Sequence, residues 1–194
     1  MNNKRQLGQF FTRNADYILS DVSGYVRGKS VTDPFAGNGD LLDWAEKHGA
    51  LSTRGYDIDP IYVDNRRVSL NDSLRNPKSY DFVLTNPPYL YQNKLKDNSI
   101  LLKSRHTDLY QLALEKIMDS NEGIVITPVN FLSAENSKYI RHTFLCKFNI
   151  VRINYFSQQV FKDISYNIIA FYYEKKALPK QSMIIYISAN NLCK

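Results

Sequence analysis

Residues 31–40 read Val-Thr-Asp-Pro-Phe-Ala-Gly-Asn-Gly-Asp. An apolar, β-branched start, an acid at position 33, a Gly-x-Gly turn and a polar residue after it predict a strand, a tight turn and a helix in that order. Glycine at positions 37 and 39 lets a ligand approach the backbone of the turn. The stretch therefore indicates the first strand–helix unit of an α/β sheet, with a ligand beside it.

Strand-length apolar runs alternate with longer helix-like segments along the rest of the chain, an order typical of a mostly parallel sheet covered by helices. Seven strands are predicted, at residues 29–33, 51–57, 68–70, 80–85, 123–127, 149–156 and 165–174. A short connection separates the last two, which predicts an antiparallel pair at one edge. The expected fold class is α/β and Rossmann-like, with a mostly parallel seven-stranded sheet and an antiparallel edge.

Length and composition exclude several classes of protein. The chain has 194 residues, 43% of them apolar, and a net charge of +6. These values fit one globular domain and exclude a large two-domain enzyme, a disordered chain and a membrane-spanning protein. We expect a catalytic domain over residues 1–176, and in 177–194 a linker and the start of a missing or partner-paired segment, because a strand-like run at 183–187 comes so late.

Cysteine and histidine are too sparse and too scattered for a disulfide framework or a metal site. The two cysteines are Cys146 and Cys193, and the basic amino terminus leads into no apolar run typical of a secretory signal. We therefore expect a cytoplasmic protein without a metal and without a membrane partner. The basic excess and the 13% aromatic content suit a polyanionic partner and base stacking.

An apolar strand delivers Asn86-Pro87-Pro88-Tyr89 at its carboxyl end, where α/β sheets place ligands. The two prolines have fixed φ and no N–H, so the turn is rigid and its carbonyl groups point outward. The Asn86 side-chain oxygen and a backbone carbonyl then form a pair of acceptors. Such a pair fits a planar amino group with two N–H donors, as on adenine, and Tyr89 offers a flat surface for stacking.

Two further acids indicate the cofactor. Asp33 at the Gly-x-Gly turn would repel a pyrophosphate and suits a ligand with an ammonium group. Asp57 ends the second strand near the offset at which an acid meets ribose hydroxyls. A nucleoside with a cationic amino-acid tail satisfies both, and S-adenosylmethionine is such a molecule.

Three motifs in order resemble the gamma arrangement of adenine-N6 DNA methyltransferases from restriction–modification systems. They are Gly8-Gln-Phe-Phe-Thr12, then Asp33-Pro-Phe-Ala-Gly-Asn-Gly39, then Asn86-Pro-Pro-Tyr89, and the resemblance covers residues 6–174. It implies transfer of a methyl group from S-adenosylmethionine to the exocyclic N6 of adenine in double-stranded DNA after base flipping. Residue roles follow by the same resemblance.

The implied cofactor-binding residues include Thr12 at the methionine end, Asp33 at the ammonium and Asp57 at the ribose. The remaining implied cofactor-binding residues are Phe35 and Gly37 in the turn, Ile58 on one adenine face and Asp72 at the cofactor's adenine amine. Asn86 and Pro87 would hold the target amine. Tyr89 and Phe161 would sandwich the extruded base.

The sequence departs from the family pattern at Arg13, where proline is common, and at Ser73, where an aromatic residue is common. Residues after 174 are too few for a target-recognition domain, so a separate recognition chain or domain is an expected partner. Four basic residues follow the catalytic turn: Lys94, Lys96, Lys103 and Arg105. Three interpretations stay open for their segment: it closes over the substrate, it tracks phosphates, or it is a solvated flexible loop.

Two other functions stay open at the level of sequence. One is a methyltransferase that acts on RNA adenine or on a protein glutamine, since a carboxamide presents the same planar amine. The other is a catalytically inactive DNA-binding subunit whose partner holds the active half.

Overall fold

The computed structural model describes residues 12, 14–95, 97–157, 160 and 167–177, and the backbone of 186–190. The helices are α1 (Ala15–Ile18), α2 (Asp40–Lys47), α3 (Ser99–Leu102), α4 (Leu109–Lys116), α5 (Asn130–Ser133) and α6 (Lys138–Lys147). Short 3-10 helices span Ser20–Val26, Pro60–Tyr62, Gln92–Lys94 and Glu135–Ser137. The strands are β1 (Ser30–Asp33), β2 (Ser52–Asp57), β3 (Val68–Leu70), β4 (Tyr80–Thr85), β5 (Ser120–Pro128), β6 (Phe148–Phe156), β7 (Ile168–Lys175) and β8 (Tyr186–Asn190).

All the strands join one sheet in the order β3-β2-β1-β4-β5-β7-β6-β8. β7 is antiparallel to both β5 and β6, and the other neighbours pair in parallel. The predicted α/β, Rossmann-like, mostly parallel sheet is confirmed, and the seven predicted strands are present.

The sequence analysis did not count β8 in the sheet. Among the described residues the sheet has this eighth strand, and β8 pairs in parallel with β6 through Arg152↔Tyr186 to Phe156↔Asn190. The predicted antiparallel pair is formed by β6 and β7, and β8 extends this side of the sheet beyond β6. The physical reason is that β6 offers an open row of backbone N–H and C=O groups with which a late strand can pair.

Strand order reverses between β1 and β4, which makes their carboxyl ends the switch point where open α/β sheets bind ligands. β1 and β4 pair only through Val31↔Phe82 and Thr32↔Val83. Beyond these pairs β1 continues alongside β2 to Asp33, and β4 continues alongside β5 to Thr85. The two strands thus separate just below the predicted site.

The segment between β4 and α4 leaves the sheet and returns to it. Its base is closed where Gln92 N donates to Thr107 O (2.9 Å) and Leu109 N donates to Leu90 O (3.1 Å). A separate apolar cluster packs under it, formed by buried Leu101, Leu109 and Leu112 with partly buried Leu74, Leu90, Leu95 and Ile100. This segment is therefore an ordered wall beside the switch point.

The buried Gln111 side chain ties this wall to the next helix. Its Oε1 accepts from the backbone N–H groups of Thr107 (2.9 Å) and Asp108 (3.2 Å), and its Nε2 donates to Asn136 O (3.1 Å). Asp108 caps α4 in return by accepting from Tyr110 N. Among the described residues, no helix is both long and apolar enough to cross a membrane.

Candidate active site

One pocket lies at the carboxyl ends of β1, β2 and β4. Eight residues predicted from the sequence line it together: Thr12, Asp33, Phe35, Gly37, Asp57, Ile58, Asp72 and Asn86. Sequence reasoning did not find the rest of the lining, which includes Asn71, Leu74, Leu95 and Leu109. The three leucines belong to the apolar cluster under the β4–α4 segment, so they reach the pocket only through tertiary packing.

Asp33 lies at the base of the pocket and is 1% exposed. Its Oδ1 accepts from Thr85 Oγ1 (2.6 Å) and from Phe35 N (3.0 Å). Burial raises the pKa of Asp33 to about 7, against the opposing effect of the Thr85 hydrogen bond. A cation placed beside this carboxyl would favour its ionised form.

Asp57 closes the next strand and connects it to the glycine turn. Its Oδ2 accepts from Gly37 N and its Oδ1 from Asp59 N, both at 2.8 Å. Burial raises the pKa of Asp57, while these backbone hydrogen bonds lower it. Carboxylate oxygens accept hydrogen bonds from hydroxyl groups, so the chemistry of Asp57 suits a ligand with a pair of hydroxyls.

Glycine is required at one position in the turn and at one position on the neighbouring strand β2. Gly39 precedes α2 with φ of 84°, in the left-handed region that favours glycine. A Cβ at Gly55 on β2 would lie 2.6 Å from Ala36 Cβ, so glycine there lets the turn pack directly against β2. The Ala36 N–H donates to Tyr56 O (2.8 Å) across this contact. Sequence reasoning did not find Gly55.

The far end of the pocket is formed by Ile58 and Asp72. The Ile58 side chain is 49% exposed, which leaves an apolar surface facing the opening. Asp72 Oδ1 accepts from Leu74 N (3.1 Å), and Asp72 Oδ2 lies 3.2 Å from Arg75 Nε. Ser73 stands where the family commonly has an aromatic residue, and Leu74 lines the pocket beside it.

The Asn86 carboxamide is oriented at both ends. Its Nδ2 donates to Thr12 Oγ1 (3.1 Å), and its Oδ1 accepts from the Tyr89 hydroxyl. The same hydroxyl lies 2.8 Å from Ile126 O, its second acceptor. Asn86 is 8% exposed and lines the pocket. These hydrogen bonds fix which end of the amide is the Nδ2 donor and which is the Oδ1 acceptor at the pocket.

Two residues predicted for the site, Pro87 and Tyr89, do not line the pocket. The Tyr89 ring is 3% exposed and packs edge-on against Tyr110, with ring centroids 6.3 Å apart. Phe161 lies outside the described residues, so its predicted role stays a prediction.

The lining of the pocket fits the chemical groups of S-adenosylmethionine. A buried acid whose pKa is raised suits an ammonium group, and Asp57 beside the open turn suits two hydroxyl groups. The apolar wall of Ile58, Leu74 and Leu95 suits an adenine ring. The donor set fits the group from end to end, because acids stand where the ligand is cationic or carries hydroxyls.

Three solved structures share this fold at low sequence identity. A modification subunit of a putative type I restriction enzyme from Vibrio vulnificus matches with a TM-score of 0.64 and 19% identity, over 87% of this chain and 45% of that chain. A putative RNA methyltransferase from Pyrococcus horikoshii matches with a TM-score of 0.66 and 18% identity, over 92% and 90%. The M protein of the type I restriction enzyme EcoKI matches with a TM-score of 0.66 and 15% identity, over 88% and 44%.

These structures and the pocket define the class, a Rossmann-like domain of the class I methyltransferase fold. Residues 31–161 match the model of the Eco57I restriction-modification methylase family, which is more than half of the chain. The chain belongs to this family. It spans less than half the length of the two type I subunits. No curated protein matches its sequence.

Proposed function

We propose that the chain transfers a methyl group from S-adenosylmethionine to the exocyclic N6 of an adenine in duplex DNA, after the base has flipped out of the helix. One observation carries the proposal: the Asn86 amide lies at the cofactor pocket and is oriented by Thr12 and Tyr89. An amide in this place can accept a hydrogen bond from an amino group while that group faces the methyl donor.

The cofactor supplies an electrophilic methyl group on a sulfonium. Asp33 would hold its ammonium, Asp57 its ribose hydroxyls, and Asp72 its adenine amine. Thr12 accepts a hydrogen bond from Asn86 and lines the same pocket, and it would stand at the methionine end. These residues fix the cofactor's position before substrate enters, so less orientational freedom has to be lost in the reaction itself.

Asn86 Oδ1 and the Pro87 carbonyl would accept the two N–H groups of the target amine. Accepting both favours a pyramidal nitrogen whose lone pair points at the methyl group, and it stabilises the positive charge that develops on that nitrogen. The Tyr89 hydroxyl does not block this, because a carboxamide oxygen can accept two hydrogen bonds. No strong base is required before methyl transfer.

Tyr89 and Phe161 would stack on the flipped base. In this structure the Tyr89 ring is buried, so we infer that stacking follows a rearrangement around that ring when the base enters. Double-stranded DNA is the proposed substrate, and a separate chain or domain would supply recognition of the target sequence.

Methylation of RNA adenine is the second candidate. The fold of a protein described as a putative RNA methyltransferase overlaps this chain over 92% of its length. A duplex RNA or a single strand would present the same amino group to Asn86, so substrate competition is needed to decide between the nucleic acids.

Asn86→Ala is the deciding variant. We expect methyl transfer to unmethylated genomic DNA to fall by about a hundredfold or more, the scale for removal of one aligned transition-state contact. Cofactor binding, measured by calorimetry, should persist. Transfer is followed with tritiated cofactor on DNA, RNA and protein in parallel, and the methylated base is identified by mass spectrometry.

The exposed Asn93 gives a matched asparagine-to-alanine control that should keep full activity. Label in RNA or protein but not in DNA would replace the proposed substrate. Full activity of the Asn86→Ala protein would refute the assignment of that residue.

A further inference from the structure

A groove runs along the outer side of the β4–α4 segment, next to the cofactor pocket. We call it the basic groove and define it by Arg75, Lys103, Arg105, Lys116 and Tyr139. Leu74 lines both the basic groove and the cofactor pocket, so one side chain separates the two. Of the four basic residues that follow the catalytic turn, Lys103 and Arg105 line the groove, Lys94 does not, and Lys96 lies outside the described residues.

Three of the four cations of the basic groove differ in their partners from cations elsewhere, whereas the fourth, Arg75, pairs with Asp72 (3.2 Å) and Asp97 (3.5 Å). Lys29, Lys47 and Arg67 each form ion pairs, with closest N–O distances of 2.5 to 2.7 Å. Over the part of the chain that the structure describes, Lys103, Arg105 and Lys116 form no ion pair with a carboxylate. The one acid that lines the groove, Glu115, is bonded to the buried His106 at 2.5 Å.

The positive surface continues past Arg105. A second groove shares Arg105 and Tyr139 and adds Lys138, Arg141 and Lys176, with Glu135 as its only lining carboxylate among the described residues. Seven lysines and arginines therefore face two carboxylates across the two grooves, an excess of five.

An exposed aromatic ring lies at the junction of the two grooves. The Arg105 guanidinium carbon is 5.3 Å from the centroid of the Tyr139 ring, and Tyr139 is 41% exposed. The His106 ring packs 5.7 Å from the same ring on its buried side. The Tyr139 ring therefore contacts both the exposed Arg105 guanidinium and the buried His106 ring, and His106 is bonded to Glu115.

We propose that the basic groove binds the sugar–phosphate backbone of the nucleic acid whose base enters the active site. The proposal rests on the proposed function for the identity of that nucleic acid, duplex DNA. Cations without carboxylate partners bind phosphates by releasing the counterions condensed on the duplex, which makes the binding dependent on salt. A guanidinium on an aromatic ring also keeps its charge directed at the surface.

The test measures the salt dependence of duplex DNA binding by fluorescence anisotropy. The full chain is compared with the triple variant Lys103→Gln, Arg105→Gln, Lys116→Gln. Each lost phosphate contact lowers the slope of log K against log salt by about 0.9, so we expect a decrease of about 2 to 3. A charge-keeping variant, Lys103→Arg, Arg105→Lys, Lys116→Arg, should retain most of the slope.

The matched control removes the same charge elsewhere, with Arg27→Gln, Arg54→Gln, Lys78→Gln. These three residues are exposed and line neither groove. Its slope should stay close to that of the parent chain. Equal decreases in both triple variants would overturn the proposal, because they would reflect net charge and not this surface. An unchanged slope in the groove variant would overturn it as well, as would a parent chain that binds no nucleic acid.

Polyglutamate serves as a competing acidic polymer. If the parent chain binds polyglutamate and the groove variant does not, while both bind DNA equally, the groove would be assigned to an acidic protein and the proposal would be overturned. Methyl transfer is recorded on the same samples. A groove effect on DNA binding without any transfer by the parent chain would refute the proposed function and leave the groove standing.

Discussion

At the scale of single residues, the site depends on acids that the fold makes costly to ionise. Asp33 is buried, its pKa is raised to about 7 by that burial, and the nearby carboxyl of Asp57 contributes in the same direction. The Thr85 hydroxyl and the Phe35 N–H favour the charged form and so offset part of this cost. A cationic ligand would complete the compensation, which ties the protonation of Asp33 to cofactor binding.

S-adenosylmethionine should therefore bind more tightly as the pH rises through about 7, and the affinity should level off above that value. The sign follows because the raised pKa leaves Asp33 neutral at lower pH, and only the carboxylate attracts an ammonium group. Titration calorimetry over this range measures the effect. Asp33→Asn should weaken binding by about 1.5–3 kcal/mol above pH 7, the scale of a hydrogen bond to a charged group, and should remove the pH dependence.

Asp43→Asn is the control, because this carboxyl is exposed on α2 and contacts Arg67 outside the pocket. Its pH profile should match that of the parent chain. An affinity of the parent chain that does not change across this range would contradict the role of Asp33.

At the scale of elements, the wall between β4 and α4 is held by Gln111. This side chain is fully buried and bonds the backbone of Thr107 and Asp108 on one side and Asn136 on the other. The wall in turn brings Leu95 and Leu109 to the cofactor pocket. The Gln111 amide therefore connects the start of α4 with the residues just before α6, and the segment that it holds carries leucines that line the pocket.

Gln111→Ala should lower the free energy of unfolding by about 1–3 kcal/mol, because it leaves partly buried backbone groups without their side-chain partner. Urea denaturation followed by circular dichroism measures the change. Cofactor affinity should fall as well, since Leu95 and Leu109 would lose their support. Asn93→Ala, an exposed change in the same segment, should be neutral. A Gln111→Ala protein as stable as the parent would show that the wall is held in another way.

The sequence could predict what local patterns encode. Strand-end acids, the glycine turn and Asn86-Pro-Pro-Tyr89 are short motifs, and the parallel strands bring them to one edge of the sheet. Leu74, Leu95 and Leu109 could not be predicted as pocket residues, because they reach the pocket through packing between segments far apart in sequence. Gly55 was missed because its need for glycine comes from Ala36, on another strand–turn unit.

At the scale of the whole molecule, the sheet separates two tasks. Its carboxyl edge holds the pocket proposed for the cofactor, and the side covered by α4 and α6 carries the two basic grooves. A ligand that binds only the folded chain must also stabilise it against unfolding. Cofactor binding should therefore be visible in the stability of the entire domain.

S-adenosylmethionine at about a hundred times its Kd should stabilise the folded chain by about 2.7 kcal/mol. For a domain of this size that corresponds to a rise in Tm of about 5–10 °C, measurable by differential scanning fluorimetry. Asp57→Ala should show a much smaller rise relative to its own ligand-free Tm, because it removes the proposed acceptors for the ribose hydroxyls. A parent chain whose Tm does not respond would contradict the proposed cofactor.

The early separation of β1 from β4 has a consequence for how this domain can evolve. The side chains of Asp33 and Thr85 are joined by a hydrogen bond. The backbone of Asp33 pairs with β2, and the backbone of Thr85 pairs with β5. Side-chain substitutions at the gap between the carboxyl ends of β1 and β4 therefore remove no backbone hydrogen bonds between these two strands. A descendant could exchange its chemistry, or abandon it, and still inherit an intact scaffold.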